Sequence, residues 1–341
     1  MERTLIKKGK AITAKEIAQI SGFSQAVVSR AFNPNTPIKK TTREKIQQIA
    51  KDNGYRPNAI ARSLITNQSN IIGIVVGYLE NQFYPLVVQE ISKKLQKKNY
   101  HLLIFFAQNN EDTDNMVNSM LDYRVDGVIV ASVSLSSKMI AQCYNAHIPI
   151  VLFNRIIHNS QCSWVETNNT DGARKIAQHL IGLGHTKIAF MAGDENASTS
   201  LQREKALIQT LSQHNLKLFK REVGNFDINT TIKATKKLVK GDMPDAIFAA
   251  NDYMAIAVID TLRYELNIRV PEDISVVGFD DVPQSSWGSY QLTTFKQPMN
   301  KMIDATLSFL LDNINNRKNT VHKLSLEGEL VIRNTTKKIN S

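Results

Sequence analysis

Among 341 residues there are two cysteines, Cys143 and Cys162, with no metal or redox spacing between them. That argues against a disulfide framework or a zinc cluster, and both are read as reduced thiols in a reducing compartment. Long hydrophobic runs are missing as well. Ile71–Val76 and Ala246–Ala250 are strand-length, far short of a membrane span. Met1–Lys10 is charged and has no apolar stretch, so no secretory signal is expected and the protein is placed in the cytoplasm. Catalytic signatures are absent too: no G-x-G-x-x-G follows a strand, and there is no Walker loop, no H-E-x-x-H and no G-x-S-x-G. Gly182-Leu183-Gly184 ends a helical stretch and leads into His185-Thr186-Lys187, and the seven histidines are scattered. No catalysis, no metal and no cofactor is expected. Acidic residues are in deficit, 31 against 42 Lys and Arg, which leaves a net charge of +11.

That excess charge has an address. Residues 1–66 hold 13 Lys and Arg against 4 Asp and Glu, a net +9, so the other 275 residues carry only +2. A fifth of the chain therefore bears the footprint of a polyanion-binding module. At 341 residues the chain also exceeds one ordinary core, and two or three structural units are expected.

The basic segment reads as three short helices. Thr13-Ala-Lys-Glu16 is a capping box, followed by a helix with Ile17, Ala18 and Ile20 on or near its inner face. Ser21-Gly22-Phe23 interrupts it, with Gly22 suited to the positive φ of a sharp turn. Ser24 caps a second helix, Gln25–Phe32, that stops at Asn33-Pro34. Small Ala18, then Gly22, then branched Val28 is the series that a helix-turn-helix needs for its crossing angle. Val27, Val28 and Phe32 read as core. A second capping box, Thr41-Thr-Arg-Glu44, is expected to open a third helix with Ile46, Ile49 and Ala50 buried and Asn53-Gly54 at its C-terminal cap.

The stretch Ile17-Ala18, Val27-Val28-Ser29-Arg30-Ala31-Phe32-Asn33, Thr42-Arg43 and Gly54-Tyr55-Arg56-Pro57-Asn58 through Ala61-Arg62-Ser63-Leu64 resembles the lactose repressor/galactose repressor (LacI/GalR) family. The resemblance runs to about residue 335. It implies that the second helix lies in the DNA major groove, with Gln25 and Ala26 choosing sequence and Arg30 reaching a base edge. Gln, Arg and Ala suit adenine, guanine and the thymine methyl respectively. Ser24, Ser29, Asn33 and Tyr55 would anchor phosphates. Where the family usually has Thr, this chain has Val27, so one hydroxyl contact is missing. Asn58–Leu64 would be a hinge helix, too short to persist alone. The resemblance pairs it with its counterpart in the minor groove, with Asn58 and Ala61 at the DNA and Leu64 as the wedge.

From Ile71 the pattern becomes strands alternating with amphipathic helices. Strands are expected at Ile71–Val76, His101–Ala107, Gly127–Ser132, Pro149–Phe153, Lys187–Ala192, Ala246–Ala250 and Ile274–Gly278. That order predicts two doubly wound parallel sheets with a cleft between them. It resembles the periplasmic-binding-protein-like fold that the family carries as its effector domain. The resemblance places Arg203, Phe226, Asn251 and Asp280 at the ligand, with Asn154, Arg155, Tyr84 and Trp287 as further candidates. Arg155 reads equally as a buried structural ion pair, Trp287 as core or rim, and His185 as a cap or packing residue. Asn81-Gln82-Phe83-Tyr84, Asn168-Asn169 and Ala206 depart from the family pattern at or near the cleft. A sugar or sugar derivative leads as ligand, with a nucleobase or small organic acid open.

These readings divide the chain into a helix-turn-helix domain at 11–57, a hinge and linker at 58–69, and an effector-binding and dimerisation domain at 70–335. The C-terminus, Val331–Ser341, lacks a leucine heptad, so a homodimer on a near-palindromic double-stranded DNA operator is expected, with no membrane partner. The rival readings are a solute-binding protein, which leaves the +9 head unexplained, and a sugar-processing enzyme, which lacks a catalytic constellation.

Overall fold

Thr13 opens helix α1 (Ala14–Ser21) with both halves of its capping box: its backbone N–H donates to Glu16 Oε2 at 2.7 Å, and Glu16 N donates back to Thr13 Oγ1 at 3.3 Å. Gly22 ends the helix in the left-handed region at φ 74°. Ser24 caps α2 (Gln25–Ala31), and α3 (Lys40–Asp52) completes the bundle. Ile17, Val28, Ala31, Ile46 and Ala50 form its small core. The computed structural model describes residues 12–33, 36–57, 68–77, 79–107, 110–133, 135–157, 161–316 and 320–338, so the hinge residues Asn58, Ala61 and Leu64 lie outside the described residues.

Three expectations for this region need correction. Ile20 is 51% exposed and Ile49 is only partly buried, because with a core this small the buried stripe narrows to one residue per turn. The third helix is not opened by Thr41. It begins at Lys40 after Lys39, with no side-chain cap, so Thr41 is already helical and cannot play that part. The preceding loop is held from inside α3 instead. Arg43 donates to the Asn33 and Thr36 carbonyls, each at 2.9 Å, and Gln47 Nε2 donates to the Ala31 carbonyl at 3.1 Å. Orphan carbonyls at the end of α2 thereby gain donors from a neighbouring helix.

The chain divides into two units, the second starting at Asn70. Two six-stranded sheets build it. The first takes β1 (Ile71–Val76), β2 (His101–Phe106), β3 (Gly127–Ala131), β4 (Ile150–Phe153), β5 (Ser163–Thr167) and β11 (Lys323–Leu326). They lie in the order β2-β1-β3-β4-β5-β11, all parallel. The second takes β6 (Ile188–Ala192), β7 (Lys220–Val223), β8 (Ala246–Ala249), β9 (Ser275–Asp280), β10 (Thr293–Lys296) and β12 (Glu329–Val331). Their order is β7-β6-β8-β9-β10-β12, parallel except for the antiparallel edge β12. The strands β5, β7, β10, β11 and β12 were not among those expected from the sequence.

Burial on both faces explains why the central strands are unbroken apolar runs. Alternation assigns the faces. Ile72, Ile74 and Val76 pack with α4 (Phe83–Gln96) and α11 (Met299–Asn316), while Val75 packs with α5 (Asn110–Asp122) and α6 (Ser137–Asn145). The second sheet is covered by α7 (Asn169–Gly182), α8 (Ser198–Gln213), α9 (Ile228–Leu238) and α10 (Asp252–Asp260). The chain passes between the sheets after β5, β10 and β11. These crossings are tied together: Thr167 Oγ1 donates to Gln297 Oε1 at 2.7 Å, and Asn168 N donates to the Leu326 carbonyl at 2.8 Å. Cys143 and Cys162 are buried free thiols, pushed up to about 11 and about 12 by burial.

Candidate functional site

On the head, the side chains expected to face DNA form the outer surface of α2. Ser24, Gln25, Ala26, Ser29 and Arg30 are exposed, and Asn33 and Tyr55 are half-buried. Tyr55 packs edge-on to Phe32 with ring centroids 5.6 Å apart, which fixes the segment after α3 against α2. Val27 is partly buried against the core, so the residue that lacks a hydroxyl has become a packing residue. Lys15, Lys39, Lys40, Lys45, Lys51 and Arg56 are exposed elsewhere on the helical head.

In the second unit, functional side chains collect where open α/β sheets gather them, beyond the carboxyl ends of the strands and near the point where strand order reverses. Asn154 follows β4, Asn251 follows β8, and Asp280 is the last residue of β9. Thr199 and Arg203 project from the first turns of α8, and Tyr84 from the first turn of α4. With Asn81, Arg155 and Phe226 they line one cleft. Phe226 reaches it because Gly193 lies under its ring: a Cβ there would sit 2.1 Å from Phe226 Cζ. Asn154, Phe226 and Asp280 all have positive φ, at 57°, 55° and 135°. Such conformations are disfavoured for side-chain-bearing residues and concentrate at binding sites.

The two lobes are in direct contact across this cleft. Asn81 Nδ2 donates to Asp280 Oδ2 at 3.2 Å, Arg155 Nη1 to Thr199 Oγ1 at 2.5 Å, and Ile156 N to Ser198 Oγ at 3.3 Å. Arg203, 2% exposed, donates through Nε to Asn169 Oδ1 at 2.9 Å and through Nη1 to the Ala250 carbonyl at 2.5 Å. Its guanidinium lies 3.5 Å from the Phe279 ring centroid, and Nη2 stands 4.0 Å from Asp280 Oδ1. Gln297 Nε2 donates to that same Asp280 oxygen at 2.6 Å.

Burial dominates the electrostatics. It pushes Asp280 up to about 7 despite the pull of Arg203, and brings Arg203 down to about 10 despite Asp280. Both shift toward neutrality because desolvation outweighs their attraction at that separation. Glu166, behind Asn169, is also raised to about 7, chiefly by burial. Asp252 is raised by burial, with its oxygens taken up by Thr294, Ser285 and the Val282 N–H.

Seven side chains singled out from the sequence, Arg203, Phe226, Asn251, Asp280, Tyr84, Asn154 and Arg155, are thus brought together. Trp287 is 55% exposed and outside the lining. Arg155 is not a structural ion pair: its partners among the described residues are the Thr199 hydroxyl and the Asn154 carbonyl. His185 is buried beside Asp245, its Nδ1 3.3 Å from Oδ1. Asn168 caps α7 and Ala206 sits in the core, so neither departure from the family pattern touches the cleft itself. Sequence reasoning had not assigned Asn81, Thr199, Asn169 or Gln297 to the site; Asn81 and Asn169 sit in segments that depart from the family pattern, but the departures themselves are at Gln82, Tyr84 and Asn168.

A model of the bacterial regulatory proteins of the lacI family matches residues 13–58, and a model of the periplasmic binding protein-like domain matches residues 177–336. The chain is 29% identical over 333 residues to the HTH-type transcriptional repressor PurR of Vibrio vulnificus (strain CMCP6), covering 96% of this chain and 99% of that one. It is 29% identical over 339 residues to the probable HTH-type transcriptional repressor ExuR of Bacillus subtilis (strain 168), covering 97% and 100%. A solved Lac repressor dimer bound to operator and the anti-inducer ONPF matches with a TM-score of 0.86 at 26% identity, covering 96% of this chain and 100% of that one. The transcriptional regulator CelR in complex with cellobiose matches with a TM-score of 0.72 at 25% identity, covering 95% and 99%. Helical head and two-lobed domain follow one another along the chain as in these proteins: the chain joins a LacI-family helix-turn-helix domain to a periplasmic-binding-protein-like domain.

Proposed function

We propose that this chain is a sequence-specific DNA-binding transcriptional regulator, a cytoplasmic homodimeric repressor whose operator affinity is set by a sugar or sugar derivative bound in the cleft. One observation carries the reading: a single chain joins a basic helix-turn-helix whose second helix presents an exposed polar face to a closed cleft lined by convergent polar side chains. Gln25, Ala26 and Arg30 read base edges, while Ser24, Ser29, Asn33 and Tyr55 hold phosphates. Residues 58–69 serve as the hinge between the DNA-binding residues 11–57 and the effector domain 70–335, with Asn58, Ala61 and Leu64 in the minor groove.

In the cleft, Arg203, Asn251, Asp280 and Phe226 hold the ligand from one lobe and Tyr84, Asn154 and Arg155 from the other. A ligand that bonds both lobes biases their closure, and the bias reaches DNA as a coupling energy of typically about 1–3 kcal/mol. The cleft is read as a binding site: the Thr199 hydroxyl, the lining's one aliphatic hydroxyl, faces a guanidinium, which is no general base for it. No cofactor is called for.

The test is genome-wide mapping of the sites this protein occupies in its own cell, with an operator-linked reporter for the ligand response. A few sharp near-palindromic sites are expected, together with a reporter response that Arg203→Ala abolishes while occupancy persists. Absence of sites would overturn DNA binding. An intact response in Arg203→Ala would remove the cleft from the mechanism.

A further inference from the structure

Arg155 is 5% exposed and lines the cleft, yet its hydrogen-bond partners among the described residues, the Thr199 hydroxyl at 2.5 Å and the Asn154 carbonyl at 3.5 Å, are both neutral. A buried guanidinium is ordinarily paired with an anion, because taking a charge out of water costs several kcal/mol unless a counter-charge compensates. Arg203, the second arginine of the lining, lies close enough for Arg155 to repel it. The one carboxylate in the lining is Asp280, and Asn81 and Gln297 already donate to its two oxygens. Two other carboxyls lie near Arg203 but outside the lining. Asp252 is bonded by Thr294, Ser285 and Val282 N, and Glu166 accepts from Asn169 at 3.4 Å. The cleft surface therefore presents two guanidiniums against one carboxyl that burial itself pushes toward neutrality, an excess of at least one positive charge.

We propose that the ligand is a hydroxylated monocarboxylate of monosaccharide size, a sugar acid, whose carboxylate is forked by Arg155. The inference rests on the reading of the cleft as the effector site and names the class of molecule that fills it. The remaining lining suits such a molecule. Among the described residues, Asn251 spends its Oδ1 on capping α10 while its Nδ2 makes no bond, and the buried Asn154 Oδ1 has no partner. They supply a donor and an acceptor for hydroxyls, and Phe226 offers an apolar face to the carbon skeleton. A positive excess of one or more calls for an anion, and the planar guanidinium fork matches a carboxylate; a phosphate monoester is the alternative anion, and the titration below separates the two.

The experiment is calorimetric titration of the full-length dimer with paired probes: glucuronate against glucose, galacturonate against galactose, gluconate against sorbitol, with glucose 6-phosphate and inorganic phosphate as anion controls. At least one acid is expected to bind at least about tenfold more tightly than its neutral partner, and Arg155→Gln to erase that preference while Arg155→Lys, which keeps the charge but not the fork, retains only part of it. Preference for a neutral partner overturns the sugar-acid assignment and leaves the cleft as effector site intact. Preference for the phosphates also overturns it. Failure of every acid to bind overturns it too, whereas the cleft reading itself falls only on the Arg203→Ala reporter result. Should Arg155→Gln not fold, the wild-type acid-to-neutral ratio decides alone.

Discussion

The two units of this chain place their functional groups on opposite sides of their cores. In the head, a core of five buried apolar residues supports a polar outer face, and the residues assigned to DNA are exposed or half-buried. In the effector domain, the residues assigned to ligand are themselves interior: Arg203, Arg155, Asn154, Asn251 and Asp280 are all at or below 5% exposure. Polyanion recognition needs charge already in water, because phosphates are met at a surface. Recognition of a small hydroxylated molecule needs dry, fixed hydrogen-bonding groups whose desolvation has been met during folding. The difference predicts that stability and function are separable in the head and entangled in the cleft.

The largest effect expected is at Arg203. Replacing it with Ala removes bonds to Asn169 and the Ala250 carbonyl and a stacked contact on Phe279, and leaves Asp280 without its cation. Breaking a buried pair from one side costs about 3–5 kcal/mol. The unfolding free energy of the effector domain, measured by urea titration, should fall by that amount, so the reporter assay belongs at a temperature where the variant stays folded. A loss below about 1 kcal/mol would break the comparison, since the arginine would then be functional without being structural.

A smaller effect of the same kind comes from pH. Asp280 and Glu166 stand at about 7 in the fold, above their ordinary carboxyl values. The folded state therefore binds more protons than the unfolded chain between about pH 4 and 7. Their contribution is fully present below that window and is lost as pH rises through 7. Facing Asp280 are Arg203, Asn81, Gln297 and, further off, Asp252; facing Glu166 are Asn169, Gln202 and Arg203. Wild type is expected to be less stable to urea at pH 8 than at pH 5.5, and Asp280→Asn to flatten that slope. An Asp280→Asn slope no flatter than that of wild type would show that Asp280 is already ionised across this window.

What could be read in the sequence follows the range of the interactions. The Thr13 cap, the Gly22 turn and the Ser24 cap are contacts within four residues of chain, and a string of residues displays them directly. Thr41 to Glu44 displays the same string and misleads, because the start of α3 is decided by Arg43 and Gln47 reaching back to α2. Central strands were visible as apolar runs buried on both faces. Edge strands such as Lys220–Val223 and Lys323–Leu326 alternate exposure and carry charge, so they passed for loops. In the cleft, family motifs reached Arg203, Asn251 and Asp280. Asn81 meets Asp280 across 199 residues of chain and Gln297 meets Thr167 across 130, and no local pattern marks either pair.

The smallest effect on stability is expected where the effect on function is large. Arg30 is exposed on the last turn of α2 and makes no ion pair among the described residues. Its removal to Ala deletes no buried contact, so the unfolding free energy of the head should change by no more than about 0.5 kcal/mol. If Arg30 forks onto a guanine edge, operator affinity should fall by about 1–3 kcal/mol, and discrimination at one base pair of each half-site should relax. Binding to operators mutated at single positions, measured by fluorescence anisotropy at fixed salt, separates this from phosphate contact. A phosphate role would weaken all sequences alike and reduce the salt slope by about one. Uniform weakening would move Arg30 from reading to anchoring and leave Gln25 and Ala26 to choose the sequence. The contrast between the units would survive even so, because an anchor in water is as cheap to remove as a reader. Only a stability loss comparable to that at Arg203 would show that the head, too, builds its site from interior groups.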